Sequence, residues 1–152
     1  MPVSVLDPVR PIFRAVATAV VPEAAQLDAA AWSELEDVIE VALAARPEKM
    51  RRQLVTFIRL IELLSGARYG RRFTRLDAPR RTAFLRSLER SRAVLVRRGF
   101  WGLRTLIFSG YYTRPDIARA IGYRAHRLGW AARGGTASSV PMSPAEVWVE
   151  PA

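Results

Sequence analysis

The sequence contains no cysteine, which excludes disulfide bonds and thiolate metal sites. His126 is the only histidine, so a histidine-based zinc site or a Ser/His/Asp triad would rest on that one residue. No uncharged apolar run approaches the roughly 20 residues needed to cross a bilayer. Residues 8–21 are apolar but lack the basic flank of a signal peptide. We therefore expect a cytoplasmic protein that neither spans a membrane nor binds a metal.

Charge of one sign dominates part of the chain. The 152 residues carry a formal charge of +10, and Lys49 is the only lysine. Residues 66–133 contain seventeen arginines against three acidic groups, whereas residues 1–65 and 134–152 are each slightly acidic. Arginine binds carboxylates and phosphates through a planar fork and stacks on aromatic rings, so the block suits an anionic partner. The alternative is a compositional preference for arginine that carries no function.

Helical periodicity in residues 1–133 predicts an all-α fold, a compact bundle of about five to six helices followed by an extended C-terminal tail. Asp7, Asp28 and Asp77 each precede an apolar periodic segment, where an aspartate side chain can accept hydrogen bonds from the free amides of the first turn. We expect a helix to begin at each of them. The helix after Asp77 ends near Leu88 or continues into the following segment.

The second and third helices are predicted to differ in burial. Glu36 lies on the acidic side of the second helix, which we expect to face solvent. The third helix is expected to run from Pro47 to about Ser65, with Gly66 as its C-terminal cap. Apolar residues cover most of its circumference, and such a helix is usually central. We therefore expect the third helix in the core of the bundle.

Composition predicts that residues 134–152 are a Gly/Ser/Pro-rich linker and an extended tail, separate from a helical domain of residues 1–133. The tail ends in an alternating stretch around Trp148. Two interpretations remain open: the tail is disordered, or it is an arm whose tryptophan anchors on a partner or on the domain itself.

Residues 97–130 hold seven of the fourteen aromatic residues and five of the nine glycines. The segment from Val94 to Tyr112 is apolar enough to be buried, yet each glycine inside it would cost a helix roughly 1 kcal/mol unless close packing offsets it. We expect Thr113 to cap a further helix and Gly122 to end it. Such a segment needs a packing surface, either within this chain or on another one.

Protein interfaces concentrate tryptophan, tyrosine and arginine at their buried centres, and the central segment is rich in these types. Phe100, Tyr111 and Tyr123 are expected to be internal. The residues that we expect to bind a partner are Trp101, Arg104, Tyr112, Arg114, Trp130 and, in the tail, Trp148.

The motif pattern resembles the gluconate 2-dehydrogenase subunit 3 family over roughly residues 10–130. Its most specific part is GYYTRP at residues 110–115, followed closely by IGY at residues 121–123. The other matching positions are Ala19 to Pro22, Tyr69, Gly70, Phe73, Leu76, Asp77, the Arg-Gly-Phe block at 98–100, Leu103 and Leu106.

The resemblance implies a small, helical, non-catalytic companion of a larger flavin dehydrogenase of the glucose-methanol-choline class. The FAD and the catalytic base would then belong to the partner, and this chain would hold no cofactor. Many members of the family carry a twin-arginine export signal, and the first residues here do not match one. The resemblance therefore favours a role in stabilising or maturing a cytoplasmic flavoprotein.

Two other classes of function compete with this interpretation. Arginines interleaved with aromatic residues could bind nucleic acid, although no recognition helix stands out among them. A free-standing enzyme would need poised acids, and the three carboxylates of the basic block are Asp77, Glu89 and Asp116. Each has a simpler explanation as a helix cap or as one member of an ion pair.

Overall fold

The structure, a computed structural model, describes residues 4–120 and Gly122. Within these residues the chain forms six α-helices and no β-strand, which confirms the all-α prediction. The helices are α1 (Arg10–Val20), α2 (Ala29–Ala44), α3 (Glu48–Tyr69), α4 (Ala78–Glu89), α5 (Val94–Tyr112) and α6 (Pro115–Ala120). Three short 3-10 segments lie at Asp7–Val9, Pro22–Gln26 and Phe73–Arg75. The predicted linker and tail at residues 134–152 lie outside the described residues.

Two of the three predicted aspartate caps are confirmed. Asp28 Oδ1 accepts a hydrogen bond from the Ala31 amide at 2.8 Å, and Asp77 Oδ1 accepts one from the Arg80 amide at 2.9 Å. The third cap is not formed. A short 3-10 segment begins at Asp7 and α1 follows it at Arg10, but the Asp7 carboxylate forms an ion pair with that arginine and makes no capping hydrogen bond.

The centre of the bundle is α1, although it has only eleven residues. Its Phe13 and Val16 are fully buried, and the helix packs against α3, α4 and α5. The prediction that α3 is the central helix is wrong. Ile58 of α3 is fully buried, but Met50 and Leu63 are 49% and 69% exposed. α3 therefore lies on the outside of α1, and part of its apolar circumference faces solvent.

The end of α3 also differs from the prediction. The helix continues through Gly66 to Tyr69, and the left-handed residue is Gly70, with φ 65°. The Gly70 amide donates to the Gly66 carbonyl at 2.9 Å. Gly66 is therefore an ordinary helical residue, and the chain turns away from the helix at Gly70, where a residue with a Cβ atom would be strained.

Gly70→Ala is expected to lower the free energy of unfolding by about 1–2 kcal/mol, because an L-residue in the left-handed region is strained. Gly66→Ala is the matched control. No atom lies within 4 Å of a Cβ built at Gly66, so alanine there is expected to stabilise the helix by up to about 1 kcal/mol. Urea unfolding followed by circular dichroism measures both. Equal effects of the two substitutions would contradict this assignment of the helix end.

Glu36 is buried, which contradicts its predicted place on a solvent-facing side of α2. Its two carboxylate oxygens accept hydrogen bonds from Arg10 Nε at 2.9 Å and from Arg14 Nε at 2.6 Å. Glu40, one turn further along, accepts from the Leu6 amide at 2.8 Å. Glu36 and Glu40 therefore bind α1 and the N-terminal segment, whereas Glu34 and Asp37 of the same helix are exposed as predicted. The prediction failed because charge periodicity does not show which charges meet a partner across the fold.

The helix that begins after Asp77 does not continue into the glycine-containing segment. α4 ends at Glu89, and a separate helix, α5, runs unbroken from Val94 to Tyr112. Thr113 ends α5, its amide donating to the Ser109 carbonyl at 3.1 Å, so the prediction that it caps the next helix is wrong. Gly122 has φ 70°, as expected for a residue that ends a helix.

Candidate partner-binding surface

α5 packs on α1, α2, α3 and α4 with one side and leaves the other side exposed. Its buried residues are Phe100, Leu103, Ile107, Gly110 and Tyr111. Most of the exposed residues recur every three or four positions, so they lie along one line about 27 Å long. Leu95 and Arg97 are also exposed and flank this line. We call this line the α5 stripe: Val94, Arg98, Trp101, Gly102, Thr105, Ser109 and Tyr112.

Two aromatic residues of the α5 stripe expose large apolar area. Trp101 is 49% exposed and Tyr112 is 43% exposed, whereas their neighbours Phe100 and Tyr111 are buried. The burial of Phe100 and Tyr111 confirms the prediction that they are internal, and the exposure of Trp101 and Tyr112 leaves both rings accessible to the partner that they are predicted to bind. Tyr123, Trp130 and Trp148 lie outside the described residues. Exposed tryptophan and tyrosine are the residue types that most often anchor protein interfaces.

Arg104 lies beside the α5 stripe, and its guanidinium packs against the Trp101 ring. Its guanidinium carbon lies 5.3 Å from the Trp101 ring centroid and 5.3 Å from that of Phe108. Its Nη1 donates to Glu89 Oε1 of α4 at 2.9 Å. Because the guanidinium contacts two rings and a carboxylate, the tryptophan has a defined neighbour before any partner binds. A side chain that is already ordered loses less entropy on binding.

Tyr112 is also fixed by its neighbours. Its ring centroid lies 5.2 Å from that of Tyr111 in an edge-to-face arrangement and 6.0 Å from that of Phe108. Burial is the largest cause that raises the pKa of the Tyr111 phenol, and the nearby Glu23 carboxylate adds to it. Tyr111 therefore stays neutral at physiological pH and serves as an apolar support for the exposed ring of Tyr112.

Arg114 does not occupy the surface position expected of a partner-binding residue. Its side chain is only 7% exposed, and its Nη2 donates to Asp116 Oδ2 at 2.9 Å. Its Nε lies 3.7 Å from Glu34 Oε2 of α2. Arg114 thus joins the start of α6 to α2. The sequence did not predict this position, because Glu34, the residue of α2 that lies beside the Arg114 guanidinium, is distant from it along the chain.

The three carboxylates considered as catalytic groups are engaged in structural contacts. Asp77 caps α4, Glu89 pairs with Arg104, and Asp116 pairs with Arg114. In residues 4–120 and Gly122, no group of three or more His, Cys, Asp or Glu residues could hold a metal ion. Nor does any helix in that part of the chain combine the length and the apolar character that a bilayer span requires.

The three glycines of α5 have different surroundings. A Cβ atom at Gly99 would lie 2.7 Å from the Phe57 ring of α3, and one at Gly110 would lie 2.9 Å from Ile39 and 3.2 Å from the Leu35 carbonyl oxygen of α2. Close packing inside the chain therefore accounts for these two glycines. Gly102 has no atom within 4 Å of such a Cβ, so no contact of the described residues requires a glycine there.

Gly110→Ala is expected to lower the free energy of unfolding by about 1–3 kcal/mol, because a buried isoleucine and a backbone carbonyl cannot both move aside. Gly102→Ala is expected to raise it by about 0.5–1 kcal/mol, because alanine favours a helix and meets no neighbour. Thermal unfolding of the two variants measures the difference. A stabilising Gly110→Ala would show that α5 and α2 pack less closely than described.

Comparison with known proteins identifies the family. The sequence model of the gluconate 2-dehydrogenase subunit 3 family matches residues 10–133, a range that contains all six helices. The chain belongs to this family. The subunit is therefore an accessory component of a dehydrogenase complex and has a larger dehydrogenase as its partner. Neither the curated proteins nor the solved structures gave a match.

Proposed function

We propose that the subunit is non-catalytic and that it binds and stabilises, or helps to mature, a larger FAD-dependent dehydrogenase of the glucose-methanol-choline class. That partner would act on a sugar, a glycoside or another alcohol, and it would supply both the FAD and the catalytic base. The observation that carries the proposal is the α5 stripe, where Trp101 and Tyr112 are exposed on a rigid, well-packed helix of a family of accessory subunits.

Gly102 supports the placing of the partner on the α5 stripe. A glycine in the middle of a helix destabilises it relative to alanine, and Gly102 has no compensating contact within the described residues. Because Gly102 has no side chain, another polypeptide can closely approach the backbone of α5 next to Trp101. A segment of the partner that crosses α5 at Gly102 would reach the backbone and cover the tryptophan at once.

The surroundings of the acidic groups support a non-catalytic role. A general acid or base needs a carboxylate that is free to reach a substrate. Asp77, Glu89 and Asp116 instead accept hydrogen bonds from amides or arginines of their own fold. The chemistry of the complex would then take place in the partner.

Co-expression tests the proposal. The neighbouring reading frames are searched for a large flavoprotein, and such a flavoprotein is produced together with the tagged subunit. The purified material is examined for a second chain, for bound flavin and for dye-linked alcohol oxidation. We expect a stable complex whose flavoprotein unfolds at a higher temperature than it does alone. Failure of the flavoprotein to co-purify, or substrate turnover by the subunit alone, would overturn the proposal.

A further inference from the structure

We propose that the loop after α3 is a binding site for a diphosphate group. We call residues 70–76 the arginine loop; with Arg68, which precedes it, this region carries Arg71, Arg72 and Arg75 and no acidic residue. All four arginines are exposed, and none forms an ion pair with another described residue. The site does not depend on the dehydrogenase partner.

The backbone of the arginine loop is held from the inside by side chains of α3. Glu62 accepts hydrogen bonds from the Thr74 hydroxyl at 2.8 Å and from the Thr74 amide at 3.2 Å. Ser65 is fully buried and donates its hydroxyl to the Arg71 carbonyl at 3.0 Å. Both ends of the loop are therefore fixed to the same helix.

A second set of contacts comes from α4. Arg81 donates to the Thr74 carbonyl at 2.6 Å and to the Phe73 carbonyl at 3.3 Å, and its guanidinium carbon lies 5.8 Å from the Phe73 ring centroid. Phe73 itself is fully buried and anchors the middle of the loop in the core. The loop is thus a rigid support, and its three arginines are presented outward from a fixed backbone.

The acidic groups nearest along the chain are already engaged. Glu62 is bound to Thr74, while Asp77 caps α4 and lies 3.7 Å from Arg80. Basic residues at the end of a helix also offset its partial negative charge, and Arg68 in the last turn of α3 serves that purpose. That charge is only about half an elementary charge, so it leaves most of the positive charge of the loop without compensation.

The hydrogen-bond donors of the site favour a diphosphate. Gly70, Arg71, Arg72 and Arg75 line a cleft of about 500 Å³. Each guanidinium can donate two parallel hydrogen bonds, so a ligand that satisfies the three arginines of the loop must present about six acceptor oxygens close together. A diphosphate group presents that many, whereas a single carboxylate presents two. A diphosphate also carries enough negative charge to balance three arginines.

An apolar groove adjoins the cleft and shares Arg72 with it. The groove has a volume of about 530 Å³, and its apolar lining includes Ile12, Leu63 and Ala67. An organic group attached to the diphosphate could lie in this groove while the phosphates contact the arginines. The shared chemistry is the diphosphate group, and its source is either the free inorganic anion or an organic ester.

Calorimetric titration of the full chain with inorganic pyrophosphate and with ADP tests the site. The triple variant Arg71→Gln, Arg72→Gln, Arg75→Gln is compared with Arg86→Gln, Arg90→Gln, Arg92→Gln, which removes the same charge from other exposed arginines that form no ion pair with a described residue. We expect the loop variant to bind pyrophosphate at least about tenfold more weakly and the control to change by less than about twofold. Tighter binding of ADP than of pyrophosphate would identify an organic ester as the ligand, and weaker binding of ADP would identify the inorganic anion. Equal binding would show that the site recognises the diphosphate group alone.

Three outcomes would overturn the site. Pyrophosphate could fail to bind wild-type protein at low salt, or both triple variants could lose the same affinity, which would indicate only general charge. The third is a random DNA duplex that binds more tightly than pyrophosphate and is weakened equally by both variants. That result would indicate an extended nucleic-acid surface instead. Circular dichroism of each variant confirms that the helices are intact before titration.

Discussion

Trp101→Ala is expected to weaken binding of the dehydrogenase partner about 100-fold, or about 2.7 kcal/mol, while the subunit itself stays folded. The ring is 49% exposed and rests against Arg104, so a partner that covers the α5 stripe would remove its open face from water. Truncation loses that apolar burial and the ordered contact with the guanidinium. Pull-down and surface plasmon resonance with the flavoprotein measure the change.

Val41→Ala is the matched control for the tryptophan variant. Val41 is an exposed apolar residue of α2 and does not belong to the α5 stripe, so its truncation is expected to leave binding within about twofold. Trp101→Phe is expected to lie between wild type and Trp101→Ala, because the smaller ring retains part of the buried area. A loss of helicity in Trp101→Ala would mean that the ring supports the fold and is not a contact for the partner.

Glu36→Ala is expected to lower the free energy of unfolding by about 2–4 kcal/mol. The carboxylate is only 8% exposed and binds Arg10 and Arg14, which come from the central helix. Its removal leaves the Arg14 guanidinium beside the core without a counter-charge, while Arg10 keeps only its ion pair with Asp7. Arg14 also lies 5.1 Å from the Trp32 ring centroid. The arginine side chains are each 40% exposed, so water offsets part of the loss.

Chemical unfolding measures the loss of stability in Glu36→Ala, and Asp37→Ala, at the next residue of α2, is the matched control. Asp37 is exposed and makes no side-chain hydrogen bond or ion pair with another described residue, so its removal is expected to change stability by less than about 0.5 kcal/mol. A double-mutant cycle with Arg14→Ala should give a coupling energy of about 1–2 kcal/mol. Equal stabilities of the two single variants would show that the buried ion pairs contribute nothing.

Much of the fold could be predicted from local patterns. The caps at Asp28 and Asp77 and the buried positions of Phe100 and Tyr111 follow from residue type and spacing, and the structure confirms them. The motif at residues 110–115 likewise indicates the family through residue identity and spacing alone. Caps and periodicity are short-range signals, so the amino-acid sequence contains them in full.

The candidate surface could be predicted only in part. Trp101 is exposed, as a tryptophan that binds a partner would be. Arg114 is buried instead, because it forms ion pairs with Glu34 and Asp116. Both glycines that allow close packing are explained only by residues of α2 and α3. The partner-binding role itself stays a prediction for Trp101, Arg104, Tyr112, Arg114, Trp130 and Trp148.

The amino-acid sequence by itself determined that the chain is helical, where α2, α3 and α4 begin, and which family the chain belongs to. Only the tertiary structure decided that α1 rather than α3 is central, that Glu36 is buried between two arginines and that Gly102 lacks a neighbour. The physical reason is how far apart along the chain the interacting residues lie. A helix forms from contacts between residues three or four positions apart, whereas burial and charge pairing depend on which faces of distant helices meet.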